Sequence, residues 1–294
     1  MKSNLTKLTA LLLIFSWSSF SCNKENDNPE KFRLIKITNY SRSNSINPID
    51  GVEYTYDEAG NMIVESFYDY LPTTNLWQYR EYEYLGDKII KIKTFYEDED
   101  DFKLDWYVDY FYEGNQIIKK EYKRPNGSLS NSVNYEYVND NLVREYYYVP
   151  DSGIRREMRY TYDNQNMLII EENDTFDDDE YKYTKYTYDS NDRIAKLEYF
   201  NHNWDLILSV EKSYNGRSTL AIKELHYDKN GVQISLHQHN YDKWGNLTET
   251  IVNNECSLFK RKYDGGLLIE EIRYKDTEEG CTEDGMTRYE YQKL

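Results

Sequence analysis

The sequence predicts an all-β protein: an antiparallel meander of about 18 to 20 strands in repeated hairpins, forming one long twisted and curled sheet. Three observations carry this. A tyrosine motif returns with a period near 26 residues, residues around each copy alternate between apolar and polar, and turn-forming residues follow it at constant offsets.

The marker is the second tyrosine of strings such as "YTYDEAGN", and it stands at Tyr56, Tyr84, Tyr112, Tyr137, Tyr162, Tyr188 and Tyr214. The series continues through Tyr227, Tyr241, Tyr263 and Tyr291, where half-period spacings suggest that each repeat is two similar strands, each with its own turn. In "SVNYEYV", Val133, Tyr135 and Tyr137 share one face and Asn134 and Glu136 the other, as a half-buried strand requires.

Behind the marker, Asp57 and Gly60 suit a type I turn followed by a left-handed residue, the three-residue hairpin with a bulge. Asp228 to Gly231 and Asp242 to Gly245 repeat it, and Asn141, Asn166 and Asp192 fill the glycine position with the next best residue types. Gly86, Gly114, Gly216 and Gly265 come earlier and read as two-residue turns. In the longer class the residue six after the marker should face it: Met62, Val143, Leu168, Ile194, Gln233 and Leu247. In the shorter class the partner should be Ile89, Ile117, Thr219 and Leu268. Between hairpins lie variable stretches such as "EDEDDFKLDW" and "KRPNGSLSN", so one edge of the sheet should carry regular turns and the other longer, acidic, irregular loops.

Residues 1–21 read as a signal peptide, with "MKSNLTK" before the short apolar run "LTALLLIFSW". Cys22 stands where a bacterial lipoprotein carries its acylated cysteine, although Ser19 departs from the usual Leu. Residues 22–31 form a polar tether and residues 32–294 one repeat domain. The expected location is therefore exported and lipid-anchored, at the outer membrane or cell surface. The net charge of −17 argues against a nucleic-acid partner, since phosphate neutralisation needs clustered Lys and Arg.

Tyr-x-Tyr-Asp-x-x-Gly-Asn, as in "YTYDEAGN", "NYDKWGN" and looser variants from Tyr54 to Tyr291, resembles the YD repeat of Rhs and teneurin-like proteins. The resemblance implies hairpins joined edge to edge into one coiled sheet. Large members wrap that sheet around a toxic C-terminal polypeptide. No distinct toxin segment is visible here, so the chain resembles a short, exported lipoprotein member without a toxin domain.

Catalytic motifs, P-loops and zinc-helix motifs are absent, and no catalytic residue, cofactor or metal is expected. The nearest approach to a metal site is His237 and His239 in "HQH", but the hairpin register is expected to put His226 near the turn, several residues away along the strand. The acid runs Glu97 to Asp101 and Asp177 to Glu180 lack the ligand spacing of an EF-hand and read as solvated loops. Trp77, Trp106, Trp204 and Trp244 are candidate ligand-stacking aromatics, or else members of cross-strand aromatic ladders. Cys256 and Cys281 are a candidate disulfide pair about two strand spacings apart, roughly 9.6 Å, which normal bridge geometry spans only if the loops lean together.

The expected function is thus a non-enzymatic, surface-anchored binding or structural protein whose aromatic sheet meets an extracellular glycan or protein. A secreted carbohydrate-active enzyme and a scaffold in an envelope assembly are the alternatives. The oligomeric state is not legible.

Overall fold

A computed structural model describes residues 32–293 apart from 42–43, 71–72, 100, 176–180, 254–255 and 278–279. Among the described residues there is no helix. The described residues form twenty strands, beginning with β1 (Phe32–Ser41), β2 (Asn44–Tyr56), β3 (Met62–Asp69), β4 (Asn75–Leu85), β5 (Lys88–Asp98), β6 (Asp101–Glu113) and β7 (Gln116–Lys123). There follow β8 (Leu129–Val138), β9 (Asn141–Val149), β10 (Gly153–Tyr162), β11 (Leu168–Thr175), β12 (Tyr183–Tyr188), β13 (Ile194–Phe200) and β14 (Leu206–Tyr214). The last six are β15 (Ala221–Asp228), β16 (Gln233–Tyr241), β17 (Leu247–Val252), β18 (Cys256–Asp264), β19 (Leu267–Thr277) and β20 (Gly280–Lys293).

Each strand pairs antiparallel with its successor, in a single sheet. The repeats predict one long curled sheet and leave its closure open; in the structure β20 returns to pair with β1 from Phe32↔Lys293 to Ser41↔Gly285, closing a barrel. β1 carries no Tyr-x-Tyr-Asp string, so the repeat pattern does not announce it. Closure removes both unpaired edges, and the accumulated twist of twenty strands brings the ends within reach of one another.

Most turn chemistry is as the sequence predicts. In the first motif Asp57 Oδ1 accepts from the Asn61 amide at 2.8 Å, Gly60 takes φ +95°, and Tyr56 faces Met62. Asn166 and Asp192 take the left-handed position at φ 62° and 58°. Two motifs differ. Asn139 and Asp140 both have positive φ and make a two-residue turn, so Asn141 is already in β9 and Tyr137 faces Leu142 rather than Val143. After Tyr214 the loop runs to Leu220, and the partner is Ala221 rather than Thr219. Arg193 of the neighbouring hairpin holds that loop by donating to the carbonyls of Gly216 and Ser218, both at 2.7 Å.

The opposite rim also departs from expectation. Its described connections include short turns of the same kind, closed by Gly127 N to Arg124 O at 2.8 Å, Trp204 N to Asn201 O at 3.1 Å and Gly231 N to Asp228 O at 3.0 Å. Much of the variable sequence is strand instead. "EDEDDFKLDW" becomes the end of β5 and the start of β6, with Asp98 paired to Asp101. The Asp228 motif itself lies on this rim, which is why Tyr227 falls at half a period.

The marker tyrosines have a role that hairpin geometry alone does not suggest. Every marker except Tyr227, which is on β15, stands on an even-numbered strand and donates its hydroxyl to a backbone carbonyl at the start of the preceding odd-numbered strand. Tyr84 reaches Met62 O at 2.8 Å, Tyr112 reaches Ile89 O at 2.7 Å, and Tyr188 reaches Leu168 O at 2.7 Å. The belt closes through Tyr291 to Leu268 O at 3.0 Å and Tyr56 to Leu34 O at 2.6 Å. It therefore stitches each hairpin to the one before, where no turn joins them. Each such bond is worth about 1 kcal/mol net.

The first tyrosine of the motif forms a second belt one step further from the turns: Tyr54, Tyr82, Tyr110, Tyr135, Tyr160, Tyr186 and Tyr289. Desolvation is the first cause of the raised pKa of all of these phenols, which reach about 12 at Tyr110, Tyr160 and Tyr289. On β12, Tyr186 and Tyr188 are covered while Lys185 and Thr187 are exposed, and the same alternation marks β10 and β18. The tyrosine face is thus the concave inner wall, where converging side chains shield one another. The outer wall carries ion pairs such as Lys93–Glu83 at 2.5 Å, Lys123–Asp109 at 2.8 Å and Arg144–Glu157 at 2.9 Å.

Twenty strands about 4.8 Å apart give a girth of about 96 Å. Among the described residues, Val108, Val210 and Met286 are the only buried large apolar side chains. Their hydrogen bonds, ion pairs and ring contacts run laterally, between nearby strands, so the barrel is held by its wall rather than by a packed centre. Glu65, Glu171, Lys120 and Lys212 interrupt the inner wall and ion pairs cover the outer one. Among the described residues, neither wall offers the apolar band, about 25 Å tall, of a lipid-facing barrel.

Candidate functional site

The inner wall of β6, β7 and β8 ends, toward the irregular rim, in a depression of about 340 Å³. Trp106, Tyr122 and Asn131 line it together with Asp105, Lys123, Arg124 and Ser130. Strand register brings the first three together: Val108 faces Tyr122, and Tyr122 faces Asn131. Because Trp106 lies two residues from Val108 on β6, its ring shares their face. The Trp106 and Tyr122 rings have centroids 6.0 Å apart and are inclined at 38°, giving an angled aromatic wall. Asn131 Oδ1 is buried without a hydrogen-bond partner. Burial also raises the Tyr122 phenol, which stays a neutral donor at physiological pH.

Lys123 is committed to Asp109 at 2.8 Å, whereas among the described residues the Arg124 guanidinium reaches only Ser128 Oγ, at 3.5 Å. The lining holds one carboxylate, Asp105, where glycoside hydrolysis needs an opposed pair. A larger, open depression of about 690 Å³ lies between the turns after β13 and β15, lined by Asn201, Asp205, Leu206, Ile207, Asp228 and Lys229. It has no aromatic side chain.

The four tryptophans are not one platform. Trp77 lies between Phe67 and Tyr96, each at 5.9 Å, a cross-strand ladder. Trp204 is half exposed in the turn after β13, with one face stacked on Tyr183 at 4.0 Å. Trp244 sits in a turn of the opposite rim, with Lys243 over its ring at 4.2 Å. Of the four, Trp106 is the one that lines the depression between β6, β7 and β8. Tyr122 and Asn131, its partners there, are invisible to a search for tryptophans; the alternation of β7 and β8 was the available signal.

A polar break in the second tyrosine belt lies between β14 and β18, where Lys212, His239 and Arg261 occupy the positions two before markers Tyr214, Tyr241 and Tyr263. Glu224 of β15 sits opposite both Lys212 and His237. His226 faces Ser235, which makes His237 its diagonal neighbour, and the two imidazoles stack with centroids 4.4 Å apart. The sequence expectation that His226 lies too far along the strand is thus wrong, because the register of the Asp228 turn returns His237 to it. Desolvation lowers the pKa of both imidazoles. The His239 imidazole, 3.7 Å from Oε1, and the Lys212 ammonium hold Glu224 down at about 2 against desolvation.

Cys256 opens β18 and Cys281 lies in β20, with β19 between them. Cys281 is disulfide-bonded; the side chain of Cys256 lies outside the described residues. Cys22 and the run Asp177 to Glu180 also lie outside them.

No family model and no curated protein matches the chain. Among solved structures, one chain of the TcdB2-TccC3-Cdc42 crystal structure is similar over 83% of this chain at 10% identity and TM-score 0.32. The alignment covers 20% of that chain, so the present one spans about a fifth of its length. A porin-like protein from Bacteroides uniformis ATCC 8492 is similar at 8% identity and TM-score 0.36, over 88% of this chain and 98% of that one. Another, from Bacteroides vulgatus ATCC 8482, is similar at 11% identity and TM-score 0.30, over 89% and 99%.

Proposed function

We propose that this is an exported, non-enzymatic binding protein of the YD-repeat kind, lipid-anchored through Cys22, that holds an extracellular glycan against the inner wall beside Trp106. The observation that carries the reading is the Trp106–Tyr122 wall with the unpartnered Asn131 Oδ1 beside it. A sugar ring offers apolar C–H faces to aromatic rings and hydroxyls at its edge. The angled rings would take the faces, while Asn131 would accept from a hydroxyl and Arg124 would donate to one. The single carboxylate in the lining supports binding rather than hydrolysis.

Screening the mature protein on a glycan array, followed by titration of the best ligand, tests this. Trp106→Ala is expected to weaken binding about tenfold or more, equivalent to about 1.4 kcal/mol. Trp244→Ala, on the other rim, should leave it unchanged. An array without a saturable ligand, or equal affinity in the Trp106 variant, overturns the reading.

The anchor is tested separately. Cys22→Ser should move the protein from the membrane fraction to the soluble fraction of the producing cell, and unchanged membrane association would remove the lipoprotein claim.

A further inference from the structure

We infer that the break in the inner tyrosine belt is a binding site for a transition-metal dication, held by Glu224, His226 and His237. One ligand atom from each already lies within 4.8 Å of the others. His226 Nε2 is buried, has no hydrogen-bond partner and stands 3.7 Å from Glu224 Oε2. Glu224 Oε1 takes the Lys212 ammonium at 2.8 Å, so Oε2 is the oxygen left for a metal.

His239 stands ready as a further ligand. Its Nδ1 meets Thr250 Oγ1 at 2.9 Å, which fixes the ring, and its Nε2 is 3.7 Å from Glu224 Oε1. Tetrahedral coordination at about 2.0–2.1 Å needs ligand atoms about 3.4 Å apart, so side-chain movements of about 1 Å complete the site. Two imidazoles and one carboxylate suit Zn²⁺, Cu²⁺ or Ni²⁺, whereas Ca²⁺ and Mg²⁺ prefer oxygen alone.

The contrary reading is an ion pair between Glu224 and Lys212 with two stacked histidines beside it. That reading leaves His226 Nε2 buried and unsatisfied at the one stretch where the repeat replaces its tyrosines. A metal would satisfy it. The site is on β15 and β16, away from Trp106 on β6, so the metal and glycan proposals succeed or fail independently.

The test uses tag-free mature protein, stripped with chelator and dialysed. Titration with Zn²⁺ by calorimetry should show one saturable equivalent, and Co²⁺ should develop the visible absorption of a tetrahedral nitrogen–oxygen site. His226→Ala with His237→Ala should lower affinity at least tenfold, while His202→Ala, in the turn after β13, should not change it. If the double variant does not fold by circular dichroism, Glu224→Gln takes its place with the same expected loss. Saturable binding that survives these substitutions, or none up to millimolar Zn²⁺, overturns the proposal.

Discussion

Raising the pH from 10 to 12 is expected to unfold the barrel cooperatively, with the inner phenols ionising together rather than one by one. Tyr54, Tyr82, Tyr110, Tyr135, Tyr160, Tyr186 and Tyr289 are all raised above the ordinary phenol value of 10.0, chiefly by desolvation. Above pH 10 the unfolded chain has therefore lost protons that the folded chain still holds. Stability is intact below that pH and falls as pH rises toward the folded values. A shift of one unit is worth up to about 1.4 kcal/mol per group; halved for partial solvent access, seven groups lose about 5 kcal/mol, comparable with a whole domain's stability. Lys120, lowered by burial, works the other way, but it is one group against seven. Absorbance at 295 nm and far-ultraviolet circular dichroism should change together. Smooth ionisation around pH 10 with the β signal intact would contradict the inward assignment of the tyrosines.

Gly51→Ala is expected to destabilise the protein by about 1–3 kcal/mol and to loosen β1. A Cβ on Gly51 would lie 2.6 Å from the backbone carbonyl of Ile37 and 2.9 Å from the Tyr70 ring. The carbonyl cannot give way cheaply, because Ile37 is paired on one side with Val52 and on the other with Tyr289. A Cβ on Gly285, across β1 on β20, would likewise lie 3.0 Å from Tyr40 O. The closing strand thus sits between two glycines that let its neighbours come near. The melting temperature should fall by roughly 2–10 °C for a chain of this size, with new proteolytic cleavage near β1. Gly86→Ala is a useful contrast: no atom lies within 4 Å, so its cost is backbone strain at φ +63° alone, about 1 kcal/mol. A melting temperature of Gly51→Ala equal to that of the native protein would rule out the tight closure.

Local chemistry made the hairpins legible. Asp57 with Gly60, and Gly265 with Gly266, specify turns within a few residues, and the turn then sets which residue Tyr56 or Tyr263 faces. Of the two departures, one was decided by a residue elsewhere and one locally. Arg193 reshapes the loop after Tyr214 from the neighbouring hairpin. At Tyr137 the error was in choosing between two local turns that "VNDN" permits, and the structure takes the shorter one.

The candidate sites were legible only in fragments. Trp106 was visible, but its companions Tyr122 and Asn131 belong to other strands and are polar or aromatic residues of ordinary kind. Glu224 and His226 are separated from His237 by a turn whose register had to be known before the three could be placed together. Spacing along the chain indicates what residues are available; contacts across strands decide which of them meet.

By itself, the sequence determined strands, turns and the two-residue alternation, because each depends on interactions over a few positions. It left open whether the sheet ends free or closes and which face turns inward. Closure depends on twist summed over all twenty strands and on the pairing of β1 with β20, at opposite ends of the chain. The tertiary structure also converts the tyrosine stripe into an inner belt, since only a closed wall has an inside.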